Sequence, residues 1–429
     1  MRACYTVRHK LFLIAGFMAG VLLLLLIGGV NQGRNAVQAQ PLVADAIIYV
    51  KTDAAGANDG TSWENAYISL QSALEDAVSG DEIWVAAGVY TPTFRTTPAD
   101  ARTATFMLKQ GVALYGGFFG IETAREQRDW RANLSILSGD LDHNDAADWR
   151  GIVTDTIAIA GDNAYHVVSS DAVTATLDGF VITAGKATGA DPHHLGGGLY
   201  TNGGHTTVTH VGFWGNQALE AGGGFFDRQG HLTLAQLVFV GNLANRGGGM
   251  YFYRDTGIIV NSLFAKNRSE TSGGALWDEA ASSTVRNCTF ADNEAGTQAG
   301  AILSWGGGNA VTLQNSIVWG NTALSEPQLS GGFSASYSLI EGGWLGTGNL
   351  NADPLFVNPE SGDYHLQMGS PALDAGDNGY APEIDLDGIV RPLDGNHDGI
   401  TTADMGAYEF ELHAAFLPLM LKQVAPSGK

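Results

Sequence analysis

The fold is decided by two consecutive units, GGGFFDRQGHLTLAQLVFVGN at 222–242 and GGGMYFYRDTGIIVNSLFAKN at 247–267. Each unit begins with a glycine cluster, continues with short segments in which apolar and polar residues alternate, and ends with a Phe followed three places later by Asn. Alternation predicts β-strands, and neither unit has the 3.6-residue period of a helix. The two units therefore predict short strands joined by tight turns.

The same pattern repeats over residues 179–321. Its asparagines are 26, 25, 26 and 28 residues apart: Asn216, Asn242, Asn267, Asn293 and Asn321. Units of about 25 residues are too short for a propeller blade of about 40–45 residues. We expect an all-β fold, a right-handed parallel β-helix with one coil per repeat and coils about 4.8 Å apart.

Stacked coils place equivalent residues in files. We interpret the five asparagines as a structural ladder in tight turns, where Asn tolerates a left-handed φ and its amide bonds to the next coil. A second polar file is also interpreted as a turn ladder: His210, Gln236, Asn261, Asn287 and Asn315. The phenylalanines of the repeat and the aliphatic residues five places before them are expected to face the core.

The composition and net charge limit the classes of partner that the protein can bind. There are 58 Gly and only 12 Pro, which suits crowded turns, and the formal net charge is −22. Such an acidic surface repels phosphate backbones and anionic lipid. We therefore expect no nucleic-acid partner, and contact with a membrane only through a signal or anchor.

The N-terminus predicts export. Basic residues precede an apolar run at 11–30, and Val37-Gln38-Ala39 forms a small-x-small cleavage pattern. Residues 1–39 are a signal peptide or, alternatively, an uncleaved anchor, because the run is long enough to span a bilayer. Either way the protein is expected to be secreted or displayed at the cell surface.

The ends of a solenoid need covering, because the terminal coils expose strand edges and core. Residues 40–82 are expected to form an N-terminal cap with an amphipathic helix at 69–78. The β-helix follows at 83–345 and a small C-terminal capping module at 346–411. The tail at 412–429 is either a sorting signal or a packed terminal strand.

Two resemblances follow from these motifs. The alternation of a glycine cluster with Phe-x-x-Asn resembles the repeats of polymorphic outer-membrane proteins and, more broadly, right-handed β-helix proteins of the pectin-lyase-like class. The C-terminal segments 353–357, 363–366, 369–372 and 404–409 resemble the choice-of-anchor Q module of exported bacterial proteins. The second resemblance implies surface display and no activity.

An aromatic file supplies the candidate ligand-binding residues. Tyr200, Phe226, Tyr251 and Trp277 each lie three residues after the central glycine of a cluster, and Tyr253 and Trp305 follow in the same segments. Since the preceding residue is expected to face the core, alternation turns this file outward. An exposed strip of rings would bind sugars or a partner protein. The alternative is that a turn covers the strip as ordinary packing.

Charged residues beside the strip keep an enzyme open as the alternative: Asp227, Arg228, Arg254, Asp278 and Glu279. If both aspartates face outward, they lie two coils apart, about 9–10 Å along the axis. That spacing is at or beyond the upper limit of roughly 6.5–9.5 Å for inverting glycosidases. Either arginine would serve instead as the base of a lyase.

One loop predicts a calcium site. Asp394, Asn396 and Asp398 place side-chain oxygens at positions 1, 3 and 5 of an EF-hand-like loop with glycine at position 6. The pattern departs at its end, because the acid, Asp404, is at position 11. The alternative is an acidic, glycine-rich turn.

The sequence thus favours an exported, non-catalytic, monomeric β-helix. Its expected partner is an extracellular polysaccharide or a surface protein, and Ca²⁺ is the one cofactor it suggests. A polysaccharide lyase or glycoside hydrolase on the same scaffold is the alternative function.

Overall fold

The structure, a computed structural model, describes residues 45–254, 257–279, 282–306 and 311–411. They form a right-handed parallel β-helix, as the repeat predicts. Equivalent residues of successive coils pair in register, as Val208 does with Leu234, and Leu234 with Ile259. The predicted signal peptide or anchor and the predicted tail fall outside the described residues.

Four parallel sheets run along the described part of the chain. Sheet A consists of Ile47–Val50, Glu82–Ala86, Ala113–Phe118, Thr174–Asp178, His205–Thr209, Thr233–Ala235, Ile258–Val260, Thr284–Arg286, Val311–Gln314 and Phe333–Ser336. Sheet B consists of Gly88–Tyr90, Ser135–Ser138, Phe180–Thr183, Gly212–Trp214, Val238–Val240, Leu263–Ala265, Thr289–Ala291, Ile317–Trp319 and Leu339–Ile340. Sheet C consists of Phe106–Met107, Val168–Asp171, Leu199–Asn202, Phe225–Arg228, Met250–Tyr253, Leu276–Glu279, Ile302–Trp305 and Leu329–Gly331. Sheet D consists of Lys186–Ala187, Gln217–Ala218, Leu243–Arg246, Arg268–Ser272 and Glu294–Ala295.

The core lies inside the coil and is built from files of like residues. Phe213, Phe239, Phe264 and Phe290 are fully buried on sheet B, and their rings stack with centroids 4.5–4.7 Å apart. Each buried ring of this kind contributes roughly 1.5–3 kcal/mol to stability. The repeat therefore supplies the core as well as the strand register.

The asparagine ladder lies at the turn between sheets B and D, and its members are buried. Asn242 donates from its backbone N–H and its side-chain amide to Oδ1 of Asn267, at 3.2 and 2.9 Å. The expectation of a left-handed φ at these asparagines was wrong. That conformation belongs to the residue before each one, with φ of 64° at Gly241 and 56° at Lys266. The asparagine itself turns inward, where its amide joins the coils.

The central glycine of each cluster is required by the neighbouring coil. A Cβ atom on Gly248 would lie 2.2 Å from the carbonyl oxygen of Arg268 and 2.6 Å from that of Gly274. Real Cβ contacts are never this short, so no side chain fits. The glycine clusters let two coils approach closely at the corner between sheets D and C.

The N-terminal end is covered by the helix Leu70–Asp76, which begins after the N-cap Ser69. Its buried face, which includes Leu70, Ala73 and Leu74, packs on the core. The helix is shorter than the predicted span of 69–78, because the backbone becomes extended at the C-cap Ala77, with ψ of 141°, and Val78 lies half exposed beyond it. Among the described residues, no helix is long and apolar enough to cross a membrane.

The second polar file lies at the bend between sheets A and B. All five members have a left-handed φ, between 47° and 55°. The side chains of Gln236, Asn261, Asn287 and Asn315 donate to backbone carbonyls of the C-terminal segment. This file therefore links the coils to another part of the chain, in addition to forming turns.

The C-terminal segment packs along the flank of the β-helix, whereas we expected it to cap the end. It contains the hairpin Phe356–Asn358 and Asp363–Leu366 and the 3-10 helix Pro359–Ser361. Leu263 and Ile317, which point outward from sheet B, pack against its buried apolar side chains. The last turns of the coil are closed instead by Trp344 packing on the core. Three further 3-10 helices occur in the described chain, at Ala101–Thr103, Arg125–Gln127 and Thr156–Ala158.

Candidate functional site

The predicted aromatic strip does lie on the outer side of sheet C, but it is buried. Tyr200, Phe226, Tyr251 and Trp277 are all less than a tenth exposed. Their rings stack along the axis with centroids 5.4–5.8 Å apart. The prediction that these four residues form an exposed binding surface was therefore wrong.

The strip is covered by the residues just before each glycine cluster. Leu195, Ala221 and Arg246 form a parallel file of bridges over it, and Leu195 and Ala221 belong to the same apolar cluster as the rings. The Arg246 guanidinium lies over the rings of Tyr251 and Trp277, at 5.8 and 5.5 Å from their centroids. The turn into the glycine cluster thus folds back on the aromatic file, and the packing alternative holds.

The carboxylates of Asp227 and Asp278 face the inside of the coil. Both residues are buried, and they align with the fully buried Phe252, which lies in the rung between them. Thr201 donates a hydrogen bond to Asp227 from the neighbouring coil. Because Phe252 separates the two aspartates and all three face inward, they form no catalytic pair on the surface of sheet C.

The solvent-facing file of sheet C lies two residues beyond the buried strip. It consists of Asn202, Arg228, Tyr253, Glu279 and Trp305, paired in register across successive coils. Trp305 is 57% exposed, and the other four are partly exposed. Arg254 is exposed next to it, and its guanidinium carbon lies 5.0 Å from the ring centroid of Tyr253. This outer file combines two accessible rings with charges of both signs.

One contact fixes the outer file to the strip beneath it. The hydroxyl of Tyr251 donates a hydrogen bond to a carboxylate oxygen of Glu279. Burial and this bond raise the pKa of Tyr251 far above its ordinary value, so the phenol stays neutral. Glu279 is thereby held in position between Tyr253 and Trp305.

The four residues of the predicted calcium loop do not converge on one point. Oxygens of Asp394 and Asn396 accept the backbone N–H of Asp398, so these side chains order their own turn. Asp404 is buried elsewhere and accepts the N–H groups of Asp374 and Phe410. In the residues that the structure describes, no group of three or more His, Cys, Asp or Glu side chains is arranged to hold a metal.

Asp404 is instead part of a buried charged network. The Arg391 guanidinium donates to the carbonyls of Asp404 and Gly406 and pairs with Glu409 at 3.4 Å. Burial and the neighbouring Glu409 raise the pKa of Asp404 to about 7.

No protein-family model matches the chain, and no curated protein matches it. The chain is similar to the crystal structure of pectate lyase Pel9A, at 13% identity and a TM-score of 0.40, over 86% of this chain and 98% of that one.

Proposed function

We propose that this protein is an exported, monomeric β-helix, secreted or displayed at the cell surface, that binds an extracellular polysaccharide without cleaving it. The apolar segment near the N-terminus supports export, and the C-terminal resemblance to the choice-of-anchor Q module supports display. The binding surface is the outer file of sheet C. Calcium at Asp394, Asn396 and Asp398 stays a separate prediction.

The observation that carries the proposal is the pair of rings in that outer file. Tyr253 and Trp305 point outward from the same sheet, two coils and therefore about 10 Å apart along the axis. Sugar rings stack on accessible aromatic faces, and the polar groups between them can bond to hydroxyls. Glu279 supplies such a group between the two rings, and Arg228 supplies another on the far side of Tyr253. A flat surface of this kind suits an extended chain that lies along the coil axis.

The test is binding to a panel of neutral and acidic polysaccharides by the purified protein. Trp305→Ala and Tyr253→Ala are each expected to weaken binding about fivefold or more, because each removes a stacking surface. Leu324→Ala is the matched control, because Leu324 is 86% exposed outside the outer file. Binding that survives both aromatic substitutions would reject this surface.

The same panel tests the alternative function. New reducing ends, or an unsaturated product that absorbs in the ultraviolet, would show a hydrolase or a lyase. No observation on Asp227 or Asp278 favours this outcome, since both face the interior. Binding without product formation is the expected result.

A further inference from the structure

A concave site separate from the outer file of sheet C lies on the outer face of sheet B. Its volume is about 220 Å³. The floor is apolar and includes Val181, Val238 and Ile152. The walls come from segments outside the repeat, near residues 130 and 150, and from the first coils of the repeat. It shares no residue with the outer file of sheet C.

Two tryptophans form the walls of this cavity. The ring of Trp130 lies against His210, with centroids 4.8 Å apart, and the Arg131 guanidinium carbon lies 3.8 Å from the centroid of Trp130. Trp214, two residues beyond Gly212 in the same strand, also lines the cavity, and the Arg150 guanidinium carbon lies 5.8 Å from its ring centroid. A Cβ atom on Gly212 would lie 2.7 Å from Nε1 of Trp214, so the glycine makes room for the indole.

The charged side chains that line this cavity include two arginines, and Asp148, which lies outside the lining, pairs with one of them, Arg150. Arg131 and Arg150 line it, and none of its lining residues is a carboxylate. Three larger cavities of the described chain are each lined by at least two carboxylates. With 44 acidic and 22 basic residues in the whole chain, an acid-free cavity with two arginines is unexpected by composition alone.

Both arginines are held in place by bonds that leave part of each guanidinium uncommitted. Arg131 donates from Nη2 to the carbonyl of Leu386 at 2.6 Å. Arg150 bonds to Asp148 from Nε and Nη2, at 2.8 and 2.6 Å. None of these bonds uses Nη1 of either residue. Fixed guanidinium groups of this kind bind carboxylate and sulfate groups well.

We propose that this cavity binds one acidic sugar ring, which stacks on Trp130 or Trp214 and places its carboxylate or sulfate group beside Arg131 and Arg150. The volume is smaller than the roughly 300–1,000 Å³ of sites for drug-sized ligands, so it suits a single ring. Trp149, which is 92% exposed, lies next to the cavity, with the Arg150 guanidinium carbon 6.0 Å from its centroid. It offers a further stacking surface to the next sugar of a chain.

The experiment is calorimetric titration of the full protein with glucuronate, glucose 6-sulfate and glucose. At least one acidic sugar is expected to bind about tenfold or more tightly than glucose, because a charge-assisted bond contributes this much. Binding of glucuronate alone assigns a carboxylate ligand, and binding of glucose 6-sulfate alone assigns a sulfated one. Added salt should weaken the interaction.

The variants locate the site. Arg150→Gln and Trp214→Leu are each expected to weaken binding about tenfold, and Arg131→Gln provides a third test if Trp214→Leu fails to fold. Arg268→Gln, in a different cavity, and Trp305→Ala, in the outer file of sheet C, are expected to leave binding unchanged. Equal affinity for glucose, no binding of either acidic sugar, or binding that survives the Arg150 and Arg131 substitutions would overturn the proposal. Because Trp305→Ala affects only the outer file, failure of one site does not imply failure of the other.

Discussion

The side-chain oxygen of Asn267 accepts two hydrogen bonds from Asn242, one from the backbone N–H and one from the side-chain amide. The same pair of hydrogen bonds recurs at the other steps of the ladder, from Asn216 to Asn321. The amide of Asn267 also donates to the carbonyl of Phe239. Asn267, which also donates to Asn293, is therefore bonded to the coils on both sides.

Replacing a ladder residue should strongly destabilise the protein. Asn267→Ala leaves the backbone and side-chain donors of Asn242 without an acceptor in a buried site, at about 1–3 kcal/mol for each unsatisfied group. We expect the free energy of unfolding to fall by about 3 kcal/mol or more in urea denaturation. Asn202→Ala, on the outer face of sheet C, should change it by less than about 0.5 kcal/mol. Similar losses in the two variants would contradict the ladder's role.

The glycine clusters give a second stability test. Gly248→Ala places a methyl group against two carbonyl oxygens of the next coil, so the coils must separate locally. We expect a loss of about 2 kcal/mol or more, in the range of an overpacked core. Gly395→Ala is the control, because the nearest atoms to its Cβ lie at 3.5 Å and its φ is not left-handed. Thermal denaturation of both variants distinguishes crowding from a general intolerance of alanine.

His365 predicts a pH dependence of stability. The hydrogen bond that the His365 ring donates to Asp387, together with a second that it donates to Asp363, raises the pKa of His365 from 6.5 to about 9. The folded state therefore binds the proton more tightly, and this stabilisation is complete below pH 6.5 and lost as the pH rises towards 9. Because its side chain is 43% exposed, we expect only about 1 kcal/mol.

The measurement is the free energy of unfolding at pH 6 and pH 9.5. His365→Gln should reduce the fall between these two values, whereas His231→Gln, on the exposed surface, should keep it. An unchanged pH profile in His365→Gln would show that the two aspartates do not stabilise the protonated ring.

Cys288 should be inert in the native protein. It is fully buried in the core, and burial raises the pKa of its thiol to about 12. A thiol reagent needs the thiolate and physical access, and both are lacking here. In a Cys4→Ser background, the reaction with a chromogenic disulfide should proceed only as fast as the protein unfolds. Thr233→Cys, exposed on sheet A, should react at once, and rapid reaction of Cys288 itself would contradict its place in the core.

The repeat predicted the fold because, in a stack of coils of equal length, residues one repeat apart in the sequence become neighbours in adjacent coils. Asn242 and Asn267 lie in one file because each coil has nearly the same length. The same logic correctly placed Tyr251 on the outer side of sheet C. It did not show that Arg246 folds back over that side, although the small or apolar residues that precede most glycine clusters were a signal in the sequence.

Other features depend on contacts outside the repeat. The cavity between Trp130 and Trp214 joins segments that are far apart in the chain, so no local pattern predicts it. Asp227 and Asp278 read as surface charges by residue type, but their even spacing from the inward-facing Phe225 and Leu276 put them inside. Polar groups at such positions need partners, and Thr201 supplies one to Asp227.

The bonds between the bend residues and the C-terminal segment have a mechanical consequence. Ladder bonds join only adjacent coils, so a bare stack can fray from its end one coil at a time. Here residues 377–406 are hydrogen-bonded to four successive coils, through Gln236, Asn261, Asn287 and Asn315. The last coil therefore cannot separate without disturbing the bonds between this segment and the other three coils. We expect these four coils to exchange their amide hydrogens as one cooperative block, because separating the last coil also breaks its bonds to residues 377–406.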